Sequence, residues 1–153
     1  MYLVGNLPYY ITTPIIEHII DENIEFSKFT IMIQKEVADR FMAKVGTKEY
    51  GYITFVLKYD VSKYAFNPVP KVKSSVISFV PKKEKIDIDI EGYFKFLKNI
   101  FRQKRKNVRN NLNGLYDLDK VLEVLSKYNL DLSVRAEGLS EEILVDIYKN
   151  VTR

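Results

Sequence analysis

The sequence has no cysteine and one histidine, His18. Without a thiol there is no disulfide, no thiolate nucleophile and no Cys-ligated zinc or iron–sulfur site, and a lone imidazole leaves no His-rich metal cluster. Composition therefore excludes redox and zinc chemistry, and no metal site is expected. Long apolar runs are missing as well. None approaches the ~18 residues of a membrane span, and Met1–Tyr10 is too short for a signal peptide and lacks its basic head. A cytoplasmic protein without a membrane partner is expected. What the 153 residues do contain is 46% apolar and 29% charged side chains, the composition of a folded chain and not of a disordered one. That length suits one domain, or one and a half, since domains cluster near ~100–150 residues.

The net charge of +4 is unevenly placed. Residues 1–94 hold 12 basic and 12 acidic side chains, residues 95–116 hold 7 and none, and residues 117–153 hold 5 and 8. Read as one helix at about 100° per residue, Phe94–Leu112 places Phe94, Leu97, Phe101, Val108 and Leu112 within about 60° of one another, a buried stripe. On the same wheel Lys95, Lys98, Arg102, Arg105, Lys106 and Arg109 fill a neighbouring arc of about 100°, with only Lys104 elsewhere. A solvated helix interleaves both signs and gains ~0.2–0.5 kcal/mol per i,i+4 pair, whereas this segment accepts like-charge repulsion along its length. Neutralised phosphates with released counterions would offset that repulsion. Gln103, Asn107, Asn110 and Asn111 add neutral donors for phosphate and 2′-OH groups. The arc is therefore read as a nucleic-acid-binding face.

Along the chain, Tyr2–Val4 reads as a short buried strand running into a loop, Gly5–Tyr10, where Pro8 forbids a continued ladder. Thr13 offers an N-cap with Pro14 at the first helical position, and Ile15, Ile16, Ile19 and Ile20 give that helix an apolar face. His18 lies opposite that face and is read as structural or surface. Phe29–Ile33 is a second apolar strand, followed by a helix over Gln34–Lys44. Strand, helix, strand, helix is the order of a parallel α/β sheet. Tyr50–Tyr59 fits a strand by β-branching or a short helix by spacing, and α/β context favours the helix. Ala65–Pro70 reads as a rigid Pro-punctuated loop, Ser75–Val80 as a strand ended by Pro81, and Lys82–Ile90 as a linker. Beyond it the pattern is wholly helical, with breaks near Asn113-Gly114, Asn129 and Gly138, so a unit of about four helices is expected. The expected domains are residues 1–85, α/β, and 86–153, all-α.

Asn6-Leu7-Pro8-Tyr9 suits one chemical problem. The exocyclic amine of adenine delocalises its lone pair into the ring, so attack on an electrophilic methyl needs that pair localised. Two acceptors can do this: the Asn6 side-chain carbonyl and the Leu7 backbone carbonyl, each taking one amine hydrogen, with Pro8 holding Leu7 extended. Tyr9 would stack on a base taken out of its own stack, which returns ~1–3 kcal/mol. In isolation the same tetrapeptide is also ordinary turn chemistry. Its place after an apolar strand, in a chain with a concentrated basic segment, favours the chemical reading.

Val4-Gly-Asn-Leu-Pro-Tyr-Tyr-Ile-Thr-Thr-Pro-Ile-Ile16 resembles the catalytic segment of the ribosomal RNA adenine N6,N6-dimethyltransferases, most closely the bacterial KsgA type. Further matches follow in the same order: Gln34–Phe41, Gly46–Gly51, Phe66–Val76, Phe101–Leu112 and Arg135–Ser140. Leu7, where the related DNA adenine methyltransferases usually have proline, points to the RNA branch. The resemblance implies a partial Rossmann-like methyltransferase sheet followed by a small all-α domain. It implies S-adenosylmethionine as methyl donor, Asn6 beside its methyl group and bonded to the target amine, Tyr9 stacked on the adenine, and Phe66 holding the flipped base. It also implies that the helical domain docks on 16S ribosomal RNA in the small ribosomal subunit, in agreement with the basic arc.

The family places about a hundred further residues before this loop, with a Gly-rich turn and an acidic residue for the cofactor's ribose. The six glycines here, at 5, 46, 51, 92, 114 and 138, form no G-x-G pattern, so the main S-adenosylmethionine site is expected to be absent from this chain. Between Tyr59 and Phe66 the family usually has a longer stretch that includes another strand. The expectation is a chain inactive by itself, a monomer, carrying the catalytic-loop half and the docking domain. The alternative is a non-catalytic RNA-binding or ribosome-assembly module.

Overall fold

The computed structural model describes residues 2–22, 27–55, 61–68, 74–81 and 87–153. The chain divides into two units, one comprising Met1–Ala43 and Ile53–Ile86, the other Lys44–Tyr52 and Asp87–Arg153.

The first unit is a four-stranded sheet in the order β1-β2-β4-β3, with strands β1 (Tyr2–Asn6), β2 (Lys28–Gln34), β3 (Val61–Pro68) and β4 (Ser74–Pro81). Helices α1 (Tyr9–Asp21) and α2 (Lys35–Phe41) follow β1 and β2. β1 and β2 pair in parallel, Val4 opposite Thr30, across the α1 crossover. The sheet is mixed, not parallel throughout: β4 pairs antiparallel with both β2 and β3. The reason is the connection. A parallel pair needs a crossover of about a dozen residues, and only residues 69–73 separate β3 from β4. Phe29, Ile31 and Ile33 alternate inward along β2, and Ile77 of β4, opposite Ile31, joins them in the core. α1 packs on β2, and α2 on β2 and β4. The other face carries the Thr30–Ser78 hydroxyl pair at 2.9 Å, and with it exposed Met32 and Val76.

Four readings of this unit are corrected. β1 is not buried: at the sheet edge Tyr2 and Val4 are 77% and 85% exposed. The loop after it shrinks to Leu7 and Pro8, because Gly5 and Asn6 extend the strand and Tyr9 already starts the helix. Thr13 is consequently no cap and Pro14 lies inside α1, since the first turn is already closed on the Pro8 carbonyl, five residues before Thr13. Finally, Ala65–Pro68 belongs to a strand and not to a loop, and the stretch before Phe66 does hold sheet structure. β3 is an edge strand, where a proline at the end costs no ladder bond. Of Tyr50–Tyr59, residues 52–55 are helical, and 56–60 lie outside the described residues, as do most of the linker and residues 69–70.

The second unit contains α3 (Ile90–Ile100), α4 (Val108–Leu112), α5 (Leu118–Lys127), a 3-10 turn (Ala136–Gly138) and α6 (Glu141–Val151). The expected breaks near Asn113-Gly114, Asn129 and Gly138 are present, and one that was not expected divides Phe94–Leu112. Gly114 and Asn129 take left-handed φ of 76° and 57°, the conformation that favours those two residue types. Side chains of Asp117 and Ser140 cap α5 and α6. Tyr93, Phe96, Leu97 and Ile100 recur at helical spacing on α3 and are fully buried. The Phe96 ring meets Tyr148 of α6 at 5.8 Å and Tyr116 edge-on at 5.4 Å. On the outside, Tyr128 donates to the Asp146 carboxylate, which pushes the Tyr128 hydroxyl up to about 12.

Residues 44–52 join this unit through a defined joint. The Gly46 amide donates to Glu137 O at 2.7 Å and the buried Tyr50 hydroxyl to Leu139 O at 3.0 Å. Gly46 does so at φ +86°, with no room problem but a backbone that a side chain would strain. Tyr50 also sets its ring edge-on to Phe101 at 5.7 Å.

Leu97→Ala is expected to cost the helical unit about 2–5 kcal/mol, against about 0.5 kcal/mol or less for the exposed neighbour Lys95→Ala. Urea denaturation followed by circular dichroism checks this, and similar midpoints for the two variants would contradict the core described here.

Candidate functional site

In the first unit the candidate loop sits at the C-terminal end of β1, the end at which α/β sheets place their sites. Asn6 is the last residue of the strand, opposite Met32 in the parallel register, and is exposed. The Leu7 amide continues the ladder by donating to Met32 O at 3.2 Å. Pro8 has no N–H to offer, so the ladder stops there. Its carbonyl then becomes the anchor of α1: the Ile11 amide donates to it at 3.1 Å and the Thr12 hydroxyl at 3.1 Å. Thr12 is completely buried, so its hydroxyl needs a partner inside the protein and Pro8 supplies it. Among the described residues none hydrogen-bonds the Asn6 side chain or the Leu7 carbonyl. A strand end, one fixed amide and one doubly held carbonyl thus leave two consecutive oxygen acceptors available to an amine.

Tyr9 is the first residue of α1, and Phe66 stands in β3 opposite Ile77. The side chains of both lie outside the described residues, and so does the stacking expected of them. Thr12, which sequence reasoning passed over, is the residue that holds the loop. Its signal was a threonine four residues after the strand-ending proline. His18 is exposed near the end of α1. Among the described residues no three His, Asp or Glu side chains are grouped as a metal set.

In the second unit the basic segment is not one helix. Lys95 and Lys98 lie on α3, which ends at Ile100; Arg102, Arg105 and Lys106 lie on the turn that follows; Arg109 lies on α4. The break has physical causes. Four cations among Arg102–Lys106 repel one another at helical spacing, and Asn107 caps α4 by accepting the Asn110 amide at 3.0 Å. The apolar stripe survives the break, with Phe94, Leu97, Phe101, Val108 and Leu112 all buried. All six predicted cations are exposed. Lys98 also lies 5.1 Å over the Tyr52 ring. Lys104 is turned back on the protein and donates to Lys48 O at 2.6 Å.

Gln103, Lys104, Arg105 and Lys106 line a concavity of about 320 Å³. Of the amides expected to serve RNA, Asn110 is exposed, but Asn111 is buried and its Nδ2 is used inside the protein, on Ile100 O and Gln103 O. The α4 N-terminus is likewise occupied, because Val108 and Arg109 amides donate to Val134 O and Leu132 O at 2.8 and 3.1 Å.

A family model described as ribosomal RNA adenine dimethylase matches residues 1–153. Ribosomal RNA small subunit methyltransferase A of Koribacter versatilis is 40% identical over 161 residues, covering 99% of this chain and 56% of that protein. The protein of the same name from Lactobacillus helveticus is 40% identical over 159 residues, covering 97% and 54%. The chain thus spans about half the length of these curated relatives. Among solved structures, a dimethyladenosine transferase from Plasmodium falciparum superposes with a TM-score of 0.69 at 23% identity, covering 95% of this chain and 64% of that one. That likeness carries the fold, the Rossmann-like methyltransferase sheet.

Thr12→Val removes one of the two bonds to the Pro8 carbonyl and is expected to lower the unfolding free energy by about 1 kcal/mol, with faster hydrogen exchange at the Ile11 amide. An unchanged Ile11 exchange rate would show that the loop is held by the backbone alone.

Proposed function

The chain belongs to the ribosomal RNA adenine dimethylase family, and from that membership we propose that it is the substrate-presenting and RNA-docking portion of an rRNA adenine N6-methyltransferase acting on 16S ribosomal RNA in the small subunit. The observation that carries this reading is the pair of acceptors at the end of β1. Asn6 is exposed at the strand's C-terminus, and the Leu7 amide and the Pro8 carbonyl are both fixed by the bonds to Met32, Ile11 and Thr12. In this role the Asn6 side-chain oxygen and Leu7 carbonyl each accept one hydrogen of the adenine amine. Its lone pair is thereby localised for attack on a methyl whose bond to the donor sulfur would break as the C–N bond forms, and the surplus proton of the resulting ammonium would pass to water. Positioning and polarisation supply the rate, the pair being preorganised before the amine arrives. Tyr9 and Phe66 are proposed to hold the unstacked base.

S-adenosylmethionine supplies the electrophilic methyl in this family. The residues present fit the methyl end of that cofactor, through Asn6, and not its adenosine end. Glycines are scattered, and the one beside Asn6, Gly5, has Leu7 Cδ2 3.5 Å from where a Cβ would stand, ordinary contact and not a cradle for a ligand. The adenosine site is therefore proposed to lie in the part of the enzyme beyond this chain. We assign the catalytic-loop half to residues 1–85 except the segment 44–52, which packs with the second unit, and RNA docking to residues 86–153. Lys95, Lys98, Arg102, Arg105, Lys106 and Arg109 contact phosphates there, in a monomer working in the cytoplasm. No described helix is long and apolar enough to cross a membrane.

Two outcomes test this. With the chain joined to the segment that completes its relatives' length, Asn6→Ala and Tyr9→Ala are each expected to cut methyl incorporation into small ribosomal subunits by about 10²–10³-fold while RNA binding is kept; full rate in either variant removes the mechanism. Replacing Arg102, Arg105 and Arg109 together by Ala is expected to weaken binding to 16S ribosomal RNA and flatten its salt dependence by roughly 0.7–0.9 per lost phosphate contact. A titration of affinity against salt reads this, and an unchanged slope would mean a merely solvated surface.

A further inference from the structure

One buried side chain shapes the basic turn. Asn111 is 1% exposed, and its Nδ2 donates to Ile100 O at 2.9 Å and Gln103 O at 3.2 Å. The first of these carbonyls belongs to the last residue of α3, where helical partners run out. The second also accepts the Lys106 amide at 2.9 Å. A single amide group therefore ties the start and the middle of the turn to α4, across the residues whose charges would otherwise drive it open. On the other side the Lys104 ammonium holds Lys48 O at 2.6 Å.

Stability pulls both ways at this place, since the Nδ2 bonds satisfy two carbonyls while the other end of the amide is left over. Among the described residues its Oδ1 has no hydrogen-bond partner, and a buried polar atom without one is a cost that an apolar side chain of similar volume avoids. What the amide provides is the path of the backbone outside it. We infer that Asn111 is the positioning residue of the RNA-docking turn: its buried amide pre-orders the arc that carries Arg102, Arg105 and Lys106, so that phosphates meet a surface already formed. The inference rests on the reading of those three cations as RNA contacts. A turn that is free to move must be ordered on binding, and that loss appears as weaker affinity without loss of a single charge.

The experiment uses the chain itself and a full-length 16S ribosomal RNA transcript, with Asn111→Leu compared to Arg102→Ala/Arg105→Ala/Lys106→Ala. Asn111→Leu is expected to stay folded but melt lower than the parent, since two carbonyls lose their donor, to exchange its Lys106 amide faster, and to bind roughly tenfold more weakly with the salt slope kept, because the same phosphates are met once the turn is ordered. Parental affinity in a folded Asn111→Leu protein overturns the inference, while a flattened slope in the triple variant leaves the RNA reading in place. A triple variant with parental slope overturns both. Should Asn111→Leu not fold, Asn111→Ser, too short to reach both carbonyls, decides on the same readouts. In the unaltered chain, a Lys106 amide that exchanges as fast as an open turn also overturns the inference.

Discussion

Between Phe94 and Leu112 the chain must keep seven cations in water and seven apolar side chains out of it, with no acidic residue in the segment to neutralise any of the cations. Everything in the second unit is arranged around that constraint. A single amphipathic helix would leave Phe96 off the apolar stripe and would align like charges at i,i+3 and i,i+4 along its full length. The fold satisfies burial with two helices instead. It gathers Lys98 and Arg102 at the C-terminal end of α3, where the helix dipole favours positive charge. Lys95 lies further back on α3, and the remaining four are spread over the turn and α4. Arg109 starts α4, where the dipole opposes it, and Asp131 lies close enough for its carboxyl to be held below the usual range, first by Ser133 and in smaller part by Arg109.

The first unit answers a different constraint, that a proline has nothing to donate. β1 pairs in parallel as far as the Leu7 amide, and at Pro8 the ladder must end. A carbonyl at such a point has no strand partner, and here it is taken over at once by the Ile11 amide and the Thr12 hydroxyl, which begin α1. Strand end and helix start are thus one hydrogen-bonded object two residues long. Asn6 is the last side chain before it and so the first one free to face outward at the end of the sheet. The proposed chemistry needs two neighbouring acceptors that do not move when the amine arrives, and a proline between a strand and a helix is an economical way to make them.

Local pattern made part of this legible. The five residues of Phe94–Leu112 that periodicity picked do go inward, but Phe96, Ile100 and Asn111, which lie off that stripe, are buried as well. Periodicity could not show the break, since a helical wheel presupposes the helix it is used to find. Asn111 was read as an RNA donor from its residue type, although the same wheel sets it beside the apolar stripe and away from the basic arc, the side on which its Nδ2 is in fact used. Pro14 with Thr13 imitates a helix start, and the true start at Tyr9 depends on a long-range strand pairing that fixes Leu7 and Pro8 first. Asn67-Pro68 imitates a loop, and becomes strand because β3 lies at an edge, a fact of sheet order that no local pattern contains. Asn6 was legible because its setting, an apolar run ended by proline, is contained in seven residues.

The two motifs for which sequence reasoning found no task, Gly46–Gly51 and Arg135–Ser140, turn out to be halves of one joint. Gly46 binds Glu137 O and Tyr50 binds Leu139 O, and this fixes the segment that presents the Lys48 carbonyl to Lys104. Lys104 is the cation that the helical wheel left out of the basic arc, and it is the one that spends its charge within the protein. The turn is consequently held from both sides, by a buried amide beneath it and by this joint beside it. A surface of like charges cannot hold its own shape, because every contact within it is repulsive. Its shape has to be imposed by neutral groups and backbone carbonyls from outside the patch. On that physical ground the residues that define the basic turn are to be sought among its uncharged neighbours, Asn111, Gly46 and Tyr50, and not among the cations themselves.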